Sequence, residues 1–98
     1  TLERVTELAK LSVSAGARAI VCSPLEITAI RSAIPPEISI ITPGIRPIDQ
    51  SKGDDQKRTM DPKGALNAGA NYLVIGRPIT GAQDPRKAAK LILESALS

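Results

Sequence analysis

Short apolar runs alternate with amphipathic stretches along the chain, and this pattern predicts alternating strands and helices. Apolar residues at helical spacing predict a first helix over residues 1–15, stopped by Gly16, and a last helix over 85–97 in which Ala88, Leu91, Ile92 and Ser95 share one face. The apolar runs at 19–22, 38–42 and 72–75 are short enough for strands, and the first is apolar on both faces. The expected order is therefore helix first, followed by strands and helices in turn.

The internal helices carry start signals that a sequence can show directly. Ser23-Pro24-Leu25-Glu26 has a capping residue, a proline in the first turn and the returning glutamate of a capping box. Asp61-Pro62 and Asp84-Pro85 repeat the cap and proline. We expect helices to begin at these three points, the first ending before Pro35-Pro36 and the second at Gly69.

One short pattern occurs twice. Residues 15–21 and 68–74 share the form A-G-A-x-x-[I/L]-V, and each copy stands where a predicted helix turns into a predicted strand. A repeated joint indicates successive αβ units, whose right-handed crossovers place all strands parallel in one sheet. The alternative is that glycine is simply a common helix stop. The fold class predicted is α/β.

The predicted sheet has only three strands, and the chain opens on a helix with no strand before it. A small parallel sheet of this kind has two uncovered edges, which is unfavourable for an isolated domain. Two explanations remain open. The chain is the end of a larger (β/α) protein, or it associates with other copies so that the open edges are covered.

The composition agrees with this fold class and argues against several classes of function. Of the 98 residues 42% are apolar, but Tyr72 is the only aromatic, so the core is aliphatic as in helix-covered parallel sheets. The net charge of +3 is dispersed, which argues against nucleic-acid binding. Cys22, the single cysteine, cannot form an internal disulfide and reads as a core residue, and without histidine a transition-metal site is not expected. No apolar run reaches the ~20 residues of a membrane span, and we expect a cytoplasmic protein.

Candidate chemistry follows the last two strands. Thr42-Pro43-Gly44-Ile45-Arg46 ends one strand and Gly76-Arg77-Pro78 ends the next. Parallel sheets bind ligands at the carboxyl ends of their strands. Gly76 would let backbone N–H groups approach an anion, Arg77 supplies a planar fork of donors, and Pro78 suits the first turn of a short helix. The pattern favours a phosphate site; the alternative is a plain turn followed by a solvated arginine.

The connection over residues 43–60 is much longer than the ~2–6 residues that usually join a strand to a helix in such units. Its content is polar, with charges of both signs. It is interpreted as a mobile flap over a ligand, or alternatively as a solvated disordered loop.

Three motifs in order give the chain a family resemblance. They are T-P-G-I-R-P at 42–47, D-Q-x-R at 55–58 and A-G-A-x-Y-L-V-I-G-R-P-I-T at 68–80. Together the chain resembles the carboxy-terminal part of bacterial orotidine 5′-monophosphate decarboxylases, over essentially its whole length. The resemblance implies a single domain over 1–98 that is part of a TIM (β/α)8 barrel, from the helix after strand five through strands 6–8 and the final helix.

The resemblance also implies a substrate and its contacts. Members of this family convert orotidine 5′-monophosphate to uridine 5′-monophosphate and CO2 in de novo pyrimidine biosynthesis, and they use no cofactor. By this likeness Arg46, Gln56, Gly76 and Arg77 would grip the phosphate of either nucleotide, with Gln56 also reaching the pyrimidine. Pro43 would line the base pocket.

The chain departs from the family where the chemistry takes place. The family's reaction uses an Asp-x-Lys-x-x-Asp element on strand three, with one aspartate from the partner subunit. The segment from Asp61 through Lys63 imitates its first half but ends in Leu66, and a helix cap explains Asp61. No catalytic residue is therefore expected here. The lysine and aspartates would come from a missing amino-terminal barrel portion; the alternative is a non-catalytic phosphate-binding half-barrel or the inert remnant of a decayed gene.

Overall fold

The computed structural model describes residues 1–45 and 60–97, and in these ranges the predicted order of elements is confirmed. Most of the predicted 43–60 connection lies outside the described residues. The elements are α1 (Leu2–Ser14), β1 (Ala19–Val21), a 3-10 turn (Pro24–Glu26), α2 (Ile27–Ala33), β2 (Ser39–Thr42), α3 (Pro62–Ala68), β3 (Tyr72–Leu73), α4 (Arg77–Thr80) and α5 (Pro85–Leu97).

The three strands form one parallel sheet in the order β1-β2-β3. Ile20 stands opposite Ile40, and Thr42 stands opposite Leu73. Parallel neighbours need a crossover connection, and the helices α2 and α3 lie in the two connections. The predicted parallel sheet is confirmed, although β3 ends at Leu73 and does not reach residue 75.

One face of the sheet is covered by helices and forms the core. Register partners in a sheet point to the same side, so Ile20, Ile40, Thr42 and Leu73 share this face. Ile40 and Thr42 are completely buried. The buried apolar residues are Ala9, Cys22, Ile27, Ile30, Ile34, Ile38, Ile40, Ile45, Ala65 and Ala70.

The opposite face of the sheet is open. Val21 is 68% exposed, Tyr72 is 61% exposed and Val74 just after β3 is 53% exposed. The run 19–22 is apolar on both faces, yet only one face of its strand is covered in the described part of the chain. The sequence has the aliphatic composition of a helix-covered parallel sheet, but within residues 1–45 and 60–97 the helices pack on one side only.

The two terminal helices also have apolar side chains that the described chain leaves exposed. Ala88, Leu91, Ile92 and Ser95 share one face of α5 by their helical spacing, but that face is not buried as a whole, because Leu91 is 56% exposed. The half-buried residues of α5 are instead Ala88, Ala89, Ile92 and Ala96. In α1, Ala9 is buried while Leu8 is 53% exposed. Each helix therefore has a wider apolar stripe than the described chain covers.

The predicted helix starts are confirmed by their hydrogen bonds. The N–H of Gly64 donates to Oδ1 of Asp61 at 3.0 Å, and the N–H of Lys87 donates to Oδ1 of Asp84 at 3.1 Å. The N–H of Ser23 donates to Oε1 of Glu26 at 3.0 Å. Asp61 is thus a helix cap, as its cap-proline context predicts. No helix in the described ranges has both the length and the apolar character needed to cross a membrane.

An arginine on α2 joins the amino ends of β2 and β3. Arg31 donates to the carbonyl of Gly69 from Nε and Nη2 at 3.2 and 3.1 Å, to the carbonyl of Ile38 at 2.9 Å and to Oδ1 of Asn71 at 2.7 Å. The same Oδ1 accepts the N–H of Ile40 at 2.8 Å. Gly69 has φ +124°, and a Cβ there would lie 2.8 Å from Cγ of Arg31. We call these hydrogen bonds of Arg31 and Asn71 the Arg31 clamp. The clamp fixes the register of both strands against α2.

Cys22 lies in the core at the end of β1. It is 6% exposed, and its Sγ is 4.0 Å from Oγ1 of Thr42. Burial raises the pKa of this thiol, the contact with Thr42 opposes that rise, Glu26 adds to it and Arg31 opposes it. The prediction that Cys22 is a core residue is confirmed.

Replacing Arg31 should weaken the fold by removing the clamp. Arg31→Met keeps the aliphatic stem but leaves the carbonyls of Gly69 and Ile38 without this donor, so we expect a loss of about 2–4 kcal/mol in the free energy of unfolding. Urea unfolding followed by circular dichroism measures it. Arg18→Met, at an exposed site, is the control and should change stability by less than about 0.5 kcal/mol. Equal effects of the two variants would show that the clamp does not stabilise the fold.

Stability should fall at alkaline pH because of Cys22. The raised thiol pKa in the folded state means that the unfolded chain loses its proton first, so ionisation favours unfolding once the pH exceeds the ordinary thiol value of about 8.5. Cys22→Ala has no thiol to ionise, so its free energy of unfolding lacks this dependence on pH. We therefore expect the difference in unfolding free energy between the native chain and Cys22→Ala to narrow between pH 8 and pH 10, measured by urea unfolding. A constant or widening difference would contradict the assignment.

Candidate functional site at the carboxyl ends of the strands

The carboxyl ends of β2 and β3 lie side by side. The N–H of Val74 donates to the carbonyl of Thr42 at 2.9 Å. Gly44 and Gly76 each follow this hydrogen-bonded pair by two residues along their own segments. The two turns that the sequence analysis singled out therefore leave the sheet at the same edge.

The turn after β2 requires its glycine. Gly44 has φ +76°, a conformation that residues with a side chain rarely adopt. The position of its missing Cβ is 3.9 Å from the ring of Pro24, which belongs to the turn after β1. Ile45 follows with 2% exposure. The direction in which the chain leaves β2 is consequently fixed by the backbone and by burial.

The turn after β3 has no comparable requirement for glycine. Gly76 has φ −101°, which other residues also adopt, and a Cβ at this position would meet nothing within 4 Å. Its carbonyl accepts the N–H groups of Ile79 and Thr80 at 3.0 and 2.9 Å and so begins α4. The packing of the described residues does not explain Gly76, and the space beside its backbone is open.

Arg77 is the first residue of α4, and its side chain is exposed. Its carbonyl accepts the N–H of Gly81 at 2.9 Å, which closes the short helix. Within residues 1–45 and 60–97, no group accepts a hydrogen bond from the Arg77 guanidinium. All five donors of this side chain are therefore available at the strand-end edge as far as the described chain is concerned.

The other two predicted phosphate contacts, Arg46 and Gln56, lie outside the described residues. The residues that flank their segment are placed, because Ile45 and Met60 form a parallel bridge. Ile45 and Met60, the described residues on either side of 46–59, therefore lie next to each other near the turn at Gly44. Pro43, the predicted base-pocket residue, is exposed at the same strand end.

The turn after β1 belongs to this edge too, and the sequence analysis gave it no part in the site. Residues 23–26 were interpreted only as a helix start, yet Pro24 lies beside Gly44 and Leu25 is 63% exposed. The position of these residues directly after a predicted strand could have identified them as part of the site. Any residue that directly follows a strand of a parallel sheet stands at the edge where ligands bind.

Neither metal chemistry nor thiol chemistry is indicated in the described part of the chain. No three His, Cys, Asp or Glu side chains there come together as a metal site requires. Cys22 is near this edge, but its thiol faces the core and its raised pKa keeps it protonated. Among the described residues, the edge therefore offers backbone N–H groups and the Arg77 guanidinium.

Comparison with known proteins gives a consistent result. The family model described as "Orotidine 5'-phosphate decarboxylase / HUMPS family" matches residues 1–92. The orotidine 5′-phosphate decarboxylase of Opitutus terrae is 53% identical over 90 residues, which are 92% of this chain and 39% of that protein. The enzyme of Trichlorobacter lovleyi is 52% identical over 96 residues, 98% of this chain and 39% of that protein.

Solved structures that resemble this chain include enzymes of the same family. The orotidine 5′-phosphate decarboxylase of Lactobacillus acidophilus superposes with a TM-score of 0.82 at 35% identity, over 99% of this chain and 38% of that one. The enzyme of Pyrococcus horikoshii gives a TM-score of 0.75 at 27% identity, over 95% of this chain and 41% of that one. These neighbours are TIM barrels of which the three-stranded open sheet is one part.

The chain spans about two fifths of the length of the curated relatives it matches. The match covers both strand-end turns, the helices that connect the strands and the sheet itself. The chain belongs to the orotidine 5′-phosphate decarboxylase / HUMPS family and corresponds to the carboxy-terminal part of its decarboxylase members.

Proposed function

We propose that this chain carries the phosphate-binding part of an orotidine 5′-phosphate decarboxylase, which converts orotidine 5′-monophosphate to uridine 5′-monophosphate and CO2 in pyrimidine biosynthesis. The observation that supports this most is the common edge of the two turns. The hydrogen bond between Val74 and Thr42 keeps Gly44 and Gly76 at one end of the sheet, and Arg77, whose guanidinium has no acceptor among the described residues, directly follows Gly76.

The chemistry of this edge suits a phosphate dianion. A phosphate offers three acceptor oxygens in a geometry that a guanidinium can meet with two parallel hydrogen bonds. Gly76 leaves room for an oxygen to approach the backbone, since nothing in the described chain lies within 4 Å of its Cβ position. Arg46 and Gln56 are proposed to complete the grip from segment 46–59, whose ends meet at the same edge.

The reacting carbon would be handled by residues that these 98 positions do not contain. The sequence has no Asp-x-Lys-x-x-Asp element, and its nearest imitation begins with Asp61, which is hydrogen-bonded as a helix cap. Phosphate binding at a distance can still accelerate the reaction. Interactions with a remote, non-reacting group help to position the base and to hold a closed site, and this binding energy appears in the rate.

A second candidate is a phosphate-binding partial barrel without catalysis. The absence of the lysine-aspartate element from this sequence favours it for the chain on its own. Both candidates require the same phosphate contacts, and they differ only in turnover. An inert remnant would show neither binding nor turnover, so a binding measurement separates it from the other two.

Arg77 should be required for nucleotide binding. We expect uridine 5′-monophosphate to bind the chain weakly and Arg77→Ala to weaken it roughly 10–100-fold, because a charge-assisted bidentate contact is lost. Chemical-shift titration measures the dissociation constant. Arg86→Ala, which removes an exposed arginine on α5, is the matched control and should bind as the native chain does. If uridine without phosphate binds equally well, or if Arg77→Ala has no effect, the phosphate site is not here.

The isolated chain should not turn over substrate. We expect no CO2 release from orotidine 5′-monophosphate above the uncatalysed rate, because no lysine flanked by carboxylates is present to protonate the carbon that loses CO2. A coupled CO2 assay with the purified chain checks this. Turnover that follows the chain through purification and is lost in Lys63→Ala would instead mean that the segment starting at Asp61 is catalytic.

A further inference from the structure

Thr42 carries the one fully buried polar side chain among the described residues, with 0% exposure. It is the last residue of β2 and directly precedes the turn that contains Gly44. Around it the core is aliphatic apart from Cys22. Valine has the shape of threonine without its hydroxyl, and burying a hydroxyl costs free energy unless a hydrogen bond compensates it. Core packing alone therefore does not explain why a threonine stands here.

The hydroxyl of Thr42 has one hydrogen-bond partner in the described chain, the thiol of Cys22. Oγ1 and Sγ are 4.0 Å apart, and either atom can be the donor. Cys22 directly follows β1, and its N–H donates to the carbonyl of Ile41 at 3.1 Å. The side-chain contact therefore joins the carboxyl ends of β1 and β2 at a point where their backbones are already paired.

Thr42 also contacts the end of the third strand. Its carbonyl accepts the N–H of Val74 at 2.9 Å, a backbone contact that any residue at position 42 could make. The contact with Cys22 is the part that requires a hydroxyl. All three strand ends thus meet at one residue, and only the link to β1 depends on its side chain.

The contact between Thr42 and Cys22 lies directly below two of the strand-end turns. Pro24 follows Cys22 by two residues, and Gly44 follows Thr42 by two residues. The ring of Pro24 is 3.9 Å from the position of the missing Cβ of Gly44, so the two turns touch each other. A shift of β1 against β2 at this level would separate them.

We infer that Thr42 is a positioning residue of the strand-end site. Its hydroxyl acts through the thiol of Cys22 to hold the turn after β1 against the turn at Gly44, and so fixes the edge that also carries Arg77. The effect on nucleotide binding rests on the proposed function, whereas the effect on the Gly44 turn does not. Groups that bind a ligand need placement to within about 0.5 Å, so a small shift of the turn has a measurable effect on affinity.

Two substitutions separate positioning from stability. Thr42→Val keeps the β-branched shape and removes the hydroxyl, so its midpoint of urea unfolding should equal or exceed that of the native chain. Thr42→Ser keeps the hydroxyl and loses a buried methyl group, so its midpoint should be lower. If the hydroxyl positions the turn, the order of the two variants reverses when the site is measured.

The site is measured first without nucleotide, by the ¹⁵N relaxation order parameter of the Gly44 amide. We expect it to fall in Thr42→Val and to stay native in Thr42→Ser. Uridine 5′-monophosphate should then bind Thr42→Val roughly three- to tenfold more weakly and Thr42→Ser within about twofold of the native chain. Thr28→Val removes a hydroxyl from an exposed threonine on α2, and as the matched control it should change neither quantity.

A double-mutant cycle tests the route through the thiol. Cys22→Ala should lower the order parameter of Gly44 as Thr42→Val does, and the double variant should be no worse than either single variant, because both remove the same contact. Additive effects would contradict the route through Cys22.

Three results would overturn the inference. They are a native order parameter at Gly44 in Thr42→Val, a Thr42→Val chain less stable than Thr42→Ser, and native nucleotide affinity in Thr42→Val. If Arg77→Ala leaves nucleotide binding unchanged, the proposed phosphate site fails, but the order parameters of Gly44 still decide the role of Thr42. The two failures are therefore distinguishable.

Discussion

A parallel β-sheet needs cover on both faces, and the described residues of this chain cover only one of them. The central strand, β2, satisfies its requirements, since Ile40 and Thr42 are fully buried beneath the helices. The strands on either side do not, and Val21 and Tyr72 remain largely exposed on the open face. The same constraint explains why the buried residues all lie on one side, and why the terminal helices have apolar stripes that the described chain does not cover.

The two ends of the sheet differ in their roles. At the amino end, Arg31 and Asn71 tie α2 to the starts of β2 and β3, which sets the strand register. At the carboxyl end the backbone leaves the sheet through Gly44 and Gly76, and the only strong donor group in the described part of that edge is Arg77. The hydrogen bonds at the amino end thus fix the same strands whose carboxyl ends lead to the candidate phosphate contacts. This arrangement matches the general division of barrels into a stabilising face and a functional face.

Sequence reasoning was accurate where the determinant is local. Asp61 and Asp84 cap helices within three residues of themselves, so their role can be read without knowing the fold. It did not show that Leu91 and Val21 stay exposed, because burial depends on which element packs opposite. It did not find the Arg31–Asn71 contact, which joins residues 40 positions apart through side chains. The strand-end site was predicted from position alone, and the segment holding Arg46 and Gln56 lies outside the described residues.

Amide hydrogen exchange of the isolated chain tests the central claim that the sheet has an open edge and an open face. The account predicts protection at Cys22 and Val74, whose N–H groups are bonded within the sheet, and rapid exchange at Ala19 and Val21. Strong protection of these two amides in the monomeric chain alone would contradict the account, since it would mean that the edge of β1 is already paired.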